Sequence, residues 1–393
     1  MKKIISLILV ALFSLSALSL VACGSINSSE VSILWSGNGE VKVPDSLINC
    51  IERAMYIENI NYKHYGANND HKAQLEQAKA SVKAGCAALV IEPVDAAKAG
   101  EFVAIAKEKS VPVIFIGHVA ENVLDSYEKC VAIYADDATI AKTQGELIAD
   151  YVKENFVKLD RNNDGKISYV DYSNTIAPSE SAAEANKLLK EDPDYEIEIG
   201  GGCNKDKTRT ELVFYDDKNP LKYLPSFGAD LAHREIMEKY NDEKKNTVEL
   251  VITADDATAL KILETLQSFD FNTNKLETHF IPVFTVGFEA DYKNYVLAKA
   301  PIDAEKRAEY LEKSKYLCDL TVVEKEDVEI MIWNTKNVID AGRLAGTAIE
   351  DQDAIAAAIA AAVRNFVKGD KPFSGLDEQN VDGKQYLIPY IPY

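Results

Sequence analysis

The chain has 393 residues and a formal net charge of −20 at pH 7, with 43 basic and 63 acidic residues. This excess of acid argues against nucleic acid and anionic lipid as partners, because both would repel the chain. The length exceeds one ordinary hydrophobic core, and the hydrophobic content of 47% is enough for two domains.

The N-terminus has the pattern of an export signal. Residues 1–22 hold two lysines followed by an apolar run, and they end in Leu-Val-Ala before Cys23. This end resembles the lipobox of bacterial lipoproteins, which implies cleavage before Cys23 and lipidation of its thiol. A transmembrane anchor is the alternative, but the run is short for a bilayer span. We expect a signal peptide over 1–22, a tether over 23–30, and an exported protein lipid-anchored at the cell surface or the periplasmic face of a membrane.

Short apolar segments alternate with helical segments in the first part of the chain. The predicted strands are VSILW (31–35), AALVIEP (87–93), VPVIFIG (111–117) and CVAIYAD (130–136). Helices are predicted at about 45–56, between the possible caps at 68–70 and Gly85, and up to about 109. This alternation indicates βαβ units and a parallel sheet covered by helices on both faces.

A second alternating series follows a helix at 139–155. Its predicted strands are ISYVDYS (167–173), YEIEIGG (195–201), VELVITA (248–254), IPVFTVG (281–287), VEIMIWN (328–334) and the closing QYLIPYIPY (385–393). Helices are predicted around 180–190, 228–240, 256–267, 289–298 and 352–366. The charged stretches 203–226 and 300–326 are predicted to be irregular surface excursions.

The two series predict an α/β fold of two doubly wound, parallel-sheet lobes joined by a hinge. The N-terminal lobe is predicted to hold 31–136 and 335–386, and the C-terminal lobe 137–334 and 387–393. Ligands of open α/β sheets bind beyond the carboxyl ends of the strands, so we expect a binding cleft there.

The segment DRNNDGKIS (160–168) has the pattern of a calcium-binding loop. Calcium takes six to eight oxygen ligands, and a glycine in sixth place, here Gly165, permits the sharp turn. The predicted donors are Asp160, Asn162, Asp164, the carbonyl of Lys166, and Ser168. An EF-hand needs a bidentate Glu in twelfth place, where this chain has Asp171, so one ligand must come from elsewhere. The alternative is an ordinary surface turn rich in Asn, Asp and Gly.

Several segments resemble the periplasmic galactose/glucose-binding proteins of bacterial ABC sugar importers. They are ALVIEPVDAAKAG (88–100), VPVIFIG, LDSYEKC (124–130), QGELIADY (144–151), VELVITADDATAL (248–260) and IPVFTVG. The resemblance implies a periplasmic binding protein type I fold, a monosaccharide ligand, an importer permease as partner, and a monomer. It also implies a structural calcium ion in the loop, with Glu249 as the remote ligand.

The predicted ligand pocket matches this family only in part. Its His-Pro-Asp and Arg are missing, because the corresponding region reads APSESAAEAN (177–186). The candidate ligand-binding residues are Glu92, Phe227, Asp255, Asn334, Trp35 and His118. Glu92 and Asp255 stand where the family has asparagines, whereas Asn334 matches, and Trp35 could supply a stacking face. The alternatives are that Glu92 and Asp255 cap helices, and that Phe227 and Trp35 belong to the core.

The leading hypothesis is therefore a solute-binding lipoprotein that delivers a galactose- or glucose-type sugar to an ABC importer. The alternative is a receptor that signals to a chemoreceptor or sensor kinase, with a different polyol or a cationic molecule as its ligand. The chain lacks G-x-S-x-G and H-E-x-x-H motifs, and its five histidines have no metal-ligand spacing, so we expect no enzymatic activity. Five cysteines follow Cys23, and their pairing cannot be assigned from the sequence.

Overall fold

A computed structural model describes most of the chain in ordered segments. The described residues are 30–37, 47–161, 163–172, 179–199, 206–214, 248–268, 271–272, 280–287, 295–298, 321–325, 328–332, 338–339 and 342–393. The chain divides into two compact units. Unit 1 contains Met1–Asp136 and Asp351–Ile388, and unit 2 contains Asp137–Glu350 and Pro389–Tyr393.

The strands and helices alternate along most of the described chain. The strands are β1 (Val31–Trp35), β2 (Tyr62–Gly66), β3 (Leu89–Ile91), β4 (Val113–Ile116), β5 (Cys130–Asp136), β6 (Ile167–Tyr172), β7 (Ile197–Ile199), β8 (Asp206–Thr208), β9 (Leu212–Phe214), β10 (Leu250–Thr253), β11 (Val283–Val286), β12 (Tyr295–Ala298), β13 (Thr321–Lys325), β14 (Val328–Ile332), β15 (Gly346–Ile349), β16 (Val381–Asp382), β17 (Gln385–Pro389) and β18 (Ile391–Pro392). The α-helices are α1 (Leu47–Ile57), α2 (His71–Ala84), α3 (Ala99–Lys107), α4 (Glu121–Asp125), α5 (Ile140–Leu159), α6 (Glu180–Glu191), α7 (Asp256–Ser268) and α8 (Gln352–Lys368).

Unit 1 is built on a seven-stranded sheet in the order β16-β17-β5-β4-β3-β1-β2. Strands β1 to β5 pair in parallel, and the β16–β17 pair is antiparallel. Leu34, Ile91 and Phe115 of this sheet form one core cluster with residues of α2, α3 and α4. Helices α1 and α8 pack against each other, and α8 also contacts β4 and β5. Strands β1, β3 and β4 are buried throughout, which is why their sequences lack polar alternation.

The ends of helix α2 follow from its sequence. The Asp70 carboxylate accepts hydrogen bonds from the backbone N–H groups of Lys72 and Ala73, at 2.8 and 3.3 Å. Gly85 ends the helix at φ 82°, a left-handed conformation that glycine adopts without strain. The predicted cap and stop signals of this helix are confirmed.

Unit 2 is built on a six-stranded sheet in the order β18-β15-β11-β10-β6-β9. The strands from β15 to β9 pair in parallel, and β18 is antiparallel to β15. Successive residues of β6 face opposite sides, as the strand period of two requires. Ile167 and Tyr169 pack with residues of α5 and α6, whereas Val170 and Tyr172 pack with residues of α7. The prediction of two α/β lobes with largely parallel sheets is confirmed.

The structure differs from the predicted domain division at two places. Residues 335–350 are predicted in the N-terminal lobe but fall in unit 2, and residues 387–388 are predicted in the C-terminal lobe but fall in unit 1. Val338 and Leu344 are buried in the core cluster that includes α7, and β15 pairs in parallel with β11. The chain therefore returns to unit 1 after Glu350, where Asp351 caps α8 by accepting a hydrogen bond from the N–H of Ala354.

Four local predictions in unit 2 were wrong. The predicted strand 195–201 does not join the parallel sheet, because β7 pairs antiparallel with β8 and the place beside β6 belongs to β9. Residues 295–298, predicted as the end of a helix, form β12, which pairs with β14. The stretches 203–226 and 300–326, predicted to be irregular, contain strands. The first holds β8 and β9, and the second holds β13, which also pairs with β14.

Among the described residues, no helix is long and apolar enough to cross a membrane. Residues 1–29 lie outside the described part of the chain, so the signal peptide, the tether and the lipidation of Cys23 stay predictions.

Candidate functional site

The predicted calcium loop lies between α5 and β6 in unit 2, and Asp160 at its start binds the backbone further along the loop. The Asp160 carboxylate accepts hydrogen bonds from the N–H groups of Asp164 and Gly165, both at 3.0 Å. Asp164 in turn accepts a bond from the N–H of Lys166 at 2.9 Å. Gly165 has φ 80°, and its carbonyl accepts a bond from the Thr210 hydroxyl at 3.0 Å. The loop is therefore held in a compact turn by its own carboxylates.

Glu249 lies at this loop, as the resemblance implied. Glu249 directly precedes β10 and is fully buried, with 0% of its surface exposed. Its two carboxylate oxygens accept bonds from the N–H groups of Arg161 and Ser168, at 2.7 and 2.9 Å. A carboxylate from far along the chain thus bridges the beginning and the end of the loop.

The donor set of the loop fits a hard cation in its chemistry. Each carboxylate oxygen has two lone pairs, so Asp160, Asp164 and Glu249 keep acceptor capacity beyond the hydrogen bonds described. Within the described residues, however, no three His, Cys, Asp or Glu side chains converge as closely as a metal site requires. Asn162 lies outside the described residues. Calcium binding at this loop is therefore a prediction that the geometry leaves untested.

Glu92 follows β3 at the carboxyl edge of the unit 1 sheet. One oxygen of its carboxylate, Oε2, accepts bonds from the N–H and the hydroxyl of Ser36, at 3.0 and 2.6 Å. The nearby 3₁₀ turn Ala96–Lys98 is capped by Asp95, not by Glu92. The alternative that Glu92 caps a helix is therefore not supported, and its half-buried carboxylate lies where a ligand of this sheet would bind.

Trp35 does not offer the stacking face that was predicted for it. The residue is only 4% exposed, at the carboxyl end of β1. Its indole N–H donates to Nδ1 of His64 at 3.0 Å, and the two ring planes are tilted by 24°. A buried indole whose donor is satisfied belongs to the core, which was the alternative assignment.

His118 is exposed at the same edge of unit 1, directly after β4. It follows Gly117, whose φ of 95° turns the chain sharply at the strand end. The His118 ring meets the ring of Tyr134 edge to face, with centroids 5.7 Å apart, and the Tyr134 hydroxyl donates to Gln385 at 2.5 Å. An exposed, braced imidazole can contact a polar ligand.

Asp255 follows β10 at the carboxyl edge of the unit 2 sheet, where it caps α7. Its Oδ1 accepts a bond from the N–H of Thr258 at 2.7 Å, and its Oδ2 accepts one from the Thr258 hydroxyl at 2.9 Å. The capping alternative is thus observed for Asp255. The remaining lone pairs of the two oxygens could still receive ligand hydroxyls.

Asp256 comes next in the chain and is 8% exposed. Its carboxyl group lies beside Gly287, such that a Cβ at Gly287 would be 3.6 Å from Asp256 Cγ. The carboxyl edge of unit 2 therefore carries two adjacent acids. The predicted pocket residues Phe227 and Asn334 lie outside the described residues.

Comparison with known proteins places the chain in a family. Residues 46–301, more than half of the chain, match the periplasmic binding protein domain family. The chain belongs to the periplasmic binding protein domain family. It is 24% identical over 250 residues to the D-galactose/methyl-galactoside binding periplasmic protein of Haemophilus influenzae. The aligned region covers 62% of this chain and 70% of that relative.

Similar solved structures include a glucose-bound solute-binding protein from Clostridium phytofermentans. It is 15% identical with a TM-score of 0.48, and the match covers 92% of this chain and 93% of that one. The arabinose-transporter binding protein of Shewanella sp. ANA-3 matches at 12% identity and a TM-score of 0.46, covering 93% and 91%. These TM-scores are too low to carry an argument about the site.

The sequence did not predict two polar residues that position Glu92. Ser36 fixes the Glu92 carboxylate, and the buried Gln74 donates to the backbone carbonyl of Glu92 at 2.7 Å and accepts from the N–H of Val94 at 3.0 Å. The serine directly follows a strand, which could have drawn attention to it. The glutamine is one polar residue among many on α2, and no local pattern distinguishes it.

Proposed function

We propose that this chain is an exported solute-binding protein, lipid-anchored through Cys23, that delivers a monosaccharide to an ABC importer permease. The observation that carries this proposal is the Glu92 carboxylate, fixed by Ser36 at the carboxyl end of the parallel strands of unit 1. An ionised carboxylate accepts hydrogen bonds strongly, and the oxygen that does not contact Ser36, Oε1, suits a sugar hydroxyl. The family assignment supports the binding role.

The sugar is proposed to be of the galactose or glucose type. The support is the relative from Haemophilus influenzae, which is a D-galactose/methyl-galactoside binding protein. The proposed ligand contacts are those of the sequence prediction other than Trp35, namely Glu92, His118, Phe227, Asp255 and Asn334. The carboxylates favour neutral or cationic ligands, because an anionic sugar would be repelled at short distance.

Isothermal titration calorimetry with ligand-free protein tests this function. The panel contains galactose, glucose and arabinose as neutral sugars, glucosamine as a cation, and galacturonate as an anion. We expect binding of at least one neutral hexose and none of galacturonate. A protein that binds no neutral sugar would overturn the assignment, and one that prefers galacturonate would overturn the charge argument.

We further propose that the loop at 160–168 holds a structural calcium ion. The ligands would be Asp160, Asn162, Asp164, the carbonyl of Lys166, Ser168 and Glu249. The support is the donor chemistry of the loop and the position of the buried Glu249 carboxylate across its two ends. A chelator should then lower the melting temperature and leave the sugar affinity at ambient temperature nearly unchanged. Loss of affinity without a change in melting would contradict a structural role.

A further inference from the structure

Three side chains in unit 1 form a hydrogen-bonded relay that ends on the sheet. The Trp35 indole N–H donates to Nδ1 of His64 at 3.0 Å, and Nε2 of His64 lies 2.9 Å from Oε1 of Glu52. Glu52 is on α1, His64 is on β2 and Trp35 is the last residue of β1. The relay therefore connects a helix, the edge strand and the neighbouring strand.

The chemistry of the three groups fixes the proton on the imidazole. An indole nitrogen can only donate, so Nδ1 of His64 must be the acceptor. Nε2 then carries the ring proton and donates to the Glu52 carboxylate. The arrangement needs a neutral His64, because an imidazolium has a donor at both nitrogens.

Protonation of His64 would place an N–H donor at Nδ1 against the indole N–H of Trp35, with the two nitrogens 3.0 Å apart. Trp35 is only 4% exposed, so its indole N–H has little access to water. The titratable groups that face the ring are Glu52 from α1 and Tyr62 from β2, whose ring meets it edge to face at 5.1 Å. Burial, and then the charge of Glu52, raise the pKa of Tyr62, so this phenol stays neutral at acidic and neutral pH.

The relay adjoins the proposed ligand contact. Trp35 directly precedes Ser36, whose N–H and hydroxyl hold the Glu92 carboxylate. The loop after β1 is tied to the segment after β2, since the N–H groups of Ala67 and Asn69 donate to the carbonyls of Trp35 and Ser36. A change at the Trp35–His64 contact thus occurs within one residue of the group that positions Glu92.

We propose that Glu52, His64 and Trp35 form a proton-sensitive relay, in which protonation of His64 releases the Trp35 indole and disturbs the Ser36–Glu92 contact. His64 is a positioning residue in this scheme and does not touch the ligand. The relay itself stands on the geometry of unit 1, whereas its effect on ligand affinity rests on the proposed function.

Tryptophan fluorescence of the ligand-free, full-length protein tests the relay. The chain has two tryptophans, and W333F leaves Trp35 as the sole emitter. In this background we expect one sigmoidal change in emission between about pH 8 and 5, the range in which histidine titrates. H64Q should abolish the change, because glutamine supplies an acceptor and a donor but does not titrate. H64N, whose asparagine likewise does not titrate, is the second variant and should also abolish the change.

A flat titration of the W333F protein would overturn the relay, and so would an unchanged sigmoid in H64Q. If H64Q does not fold, H64N decides, and an unchanged sigmoid in that variant would contradict the relay. Sugar affinity at pH 7 and pH 5 is the second readout. We expect a several-fold weaker affinity at pH 5 in the wild type and a smaller change in H64Q, whereas equal changes in both would contradict the coupling to the site. If the wild type binds no sugar, the proposed function fails, while the fluorescence result still decides the relay.

Discussion

Glu249 and Ser168 are joined by two hydrogen bonds, although 81 residues separate them in the chain. The N–H of Ser168 donates to Oε2 of Glu249 at 2.9 Å, and the N–H of Glu249 donates to the carbonyl of Ser168 at 2.8 Å. The other carboxylate oxygen accepts from the N–H of Arg161 at 2.7 Å. Glu249 therefore stabilises the loop through its hydrogen bonds alone, without a bound cation.

Replacing Glu249 by glutamine should destabilise unit 2 even when calcium is chelated. The amide group of glutamine has one acceptor, so the N–H of Arg161 or Ser168 would face an NH₂ group instead of an oxygen. An unsatisfied buried donor costs about 1–3 kcal/mol. Thermal and urea denaturation in the presence of a chelator measure this loss, and calcium titration of the same variant measures the effect on the proposed metal site.

Glu211 supplies the matched control, because it lies near the same loop and pairs with Lys166 at the surface. Glu211→Gln should leave the free energy of unfolding nearly unchanged, because exposed ion pairs contribute little to stability. For calcium, Glu249→Gln should weaken binding more than Asp171→Asn. The opposite order would refute Glu249 as the remote ligand.

Asp255 is expected to stabilise the ligand-free protein by capping α7. Asp255→Ala removes both bonds to Thr258 and should lower the free energy of unfolding by about 0.5–2 kcal/mol. Asp255→Asn keeps one acceptor at the cap and should recover most of that loss. Urea denaturation of the two variants makes the comparison. Equal stability of Asp255→Ala and the wild type would contradict the capping role.

The strands that the sequence predicted well are the fully buried ones of the parallel sheets. Runs such as VSILW and VIFI have no polar alternation because helices cover both faces, and such runs are recognisable without a partner. Strand β2, with the sequence YKHYG, was missed. It lies at the edge of its sheet and its residues are half-buried or exposed, so it carries no apolar run.

The site was harder to predict because its residues depend on partners distant in sequence. Trp35 at a strand end could face a ligand or the core, and the deciding partner, His64, is 29 residues away on another strand. Glu249 could be connected with the loop only through the resemblance to a family, since no local spacing brings it there. Asp255, by contrast, directly precedes the predicted helix 256–267, and this local position did allow the capping alternative.

Glu92→Gln should weaken sugar binding while leaving the fold intact. The change removes the negative charge and one acceptor, and a hydrogen bond to a charged group contributes about 1.5–3 kcal/mol. We therefore expect an affinity loss of roughly tenfold or more by isothermal titration calorimetry. Glu121→Gln, at an exposed position in the first turn of α4, is the control and should bind like the wild type. An unchanged affinity in Glu92→Gln would remove this residue from the ligand site.

Tyr151→Phe should make the protein more resistant to alkaline unfolding. Burial, and then the charge of Glu154, raise the pKa of Tyr151 to about 12. The unfolded chain loses the same proton near pH 10, so between about pH 10 and 12 only the unfolded state is ionised and stability falls as the pH rises. Phenylalanine removes this ionisation but keeps the ring that meets Phe284 edge to face, with centroids 5.6 Å apart.

The pH midpoint of alkaline unfolding, followed by circular dichroism, should therefore shift upward in Tyr151→Phe. Tyr56→Phe is the matched control, because Tyr56 is 83% exposed and its removal leaves the buried tyrosines unchanged. The control should leave the midpoint unchanged. If Tyr151→Phe unfolds at the same pH as the wild type, the Tyr151 hydroxyl ionises as easily in the folded protein as in the unfolded chain, and burial does not protect it.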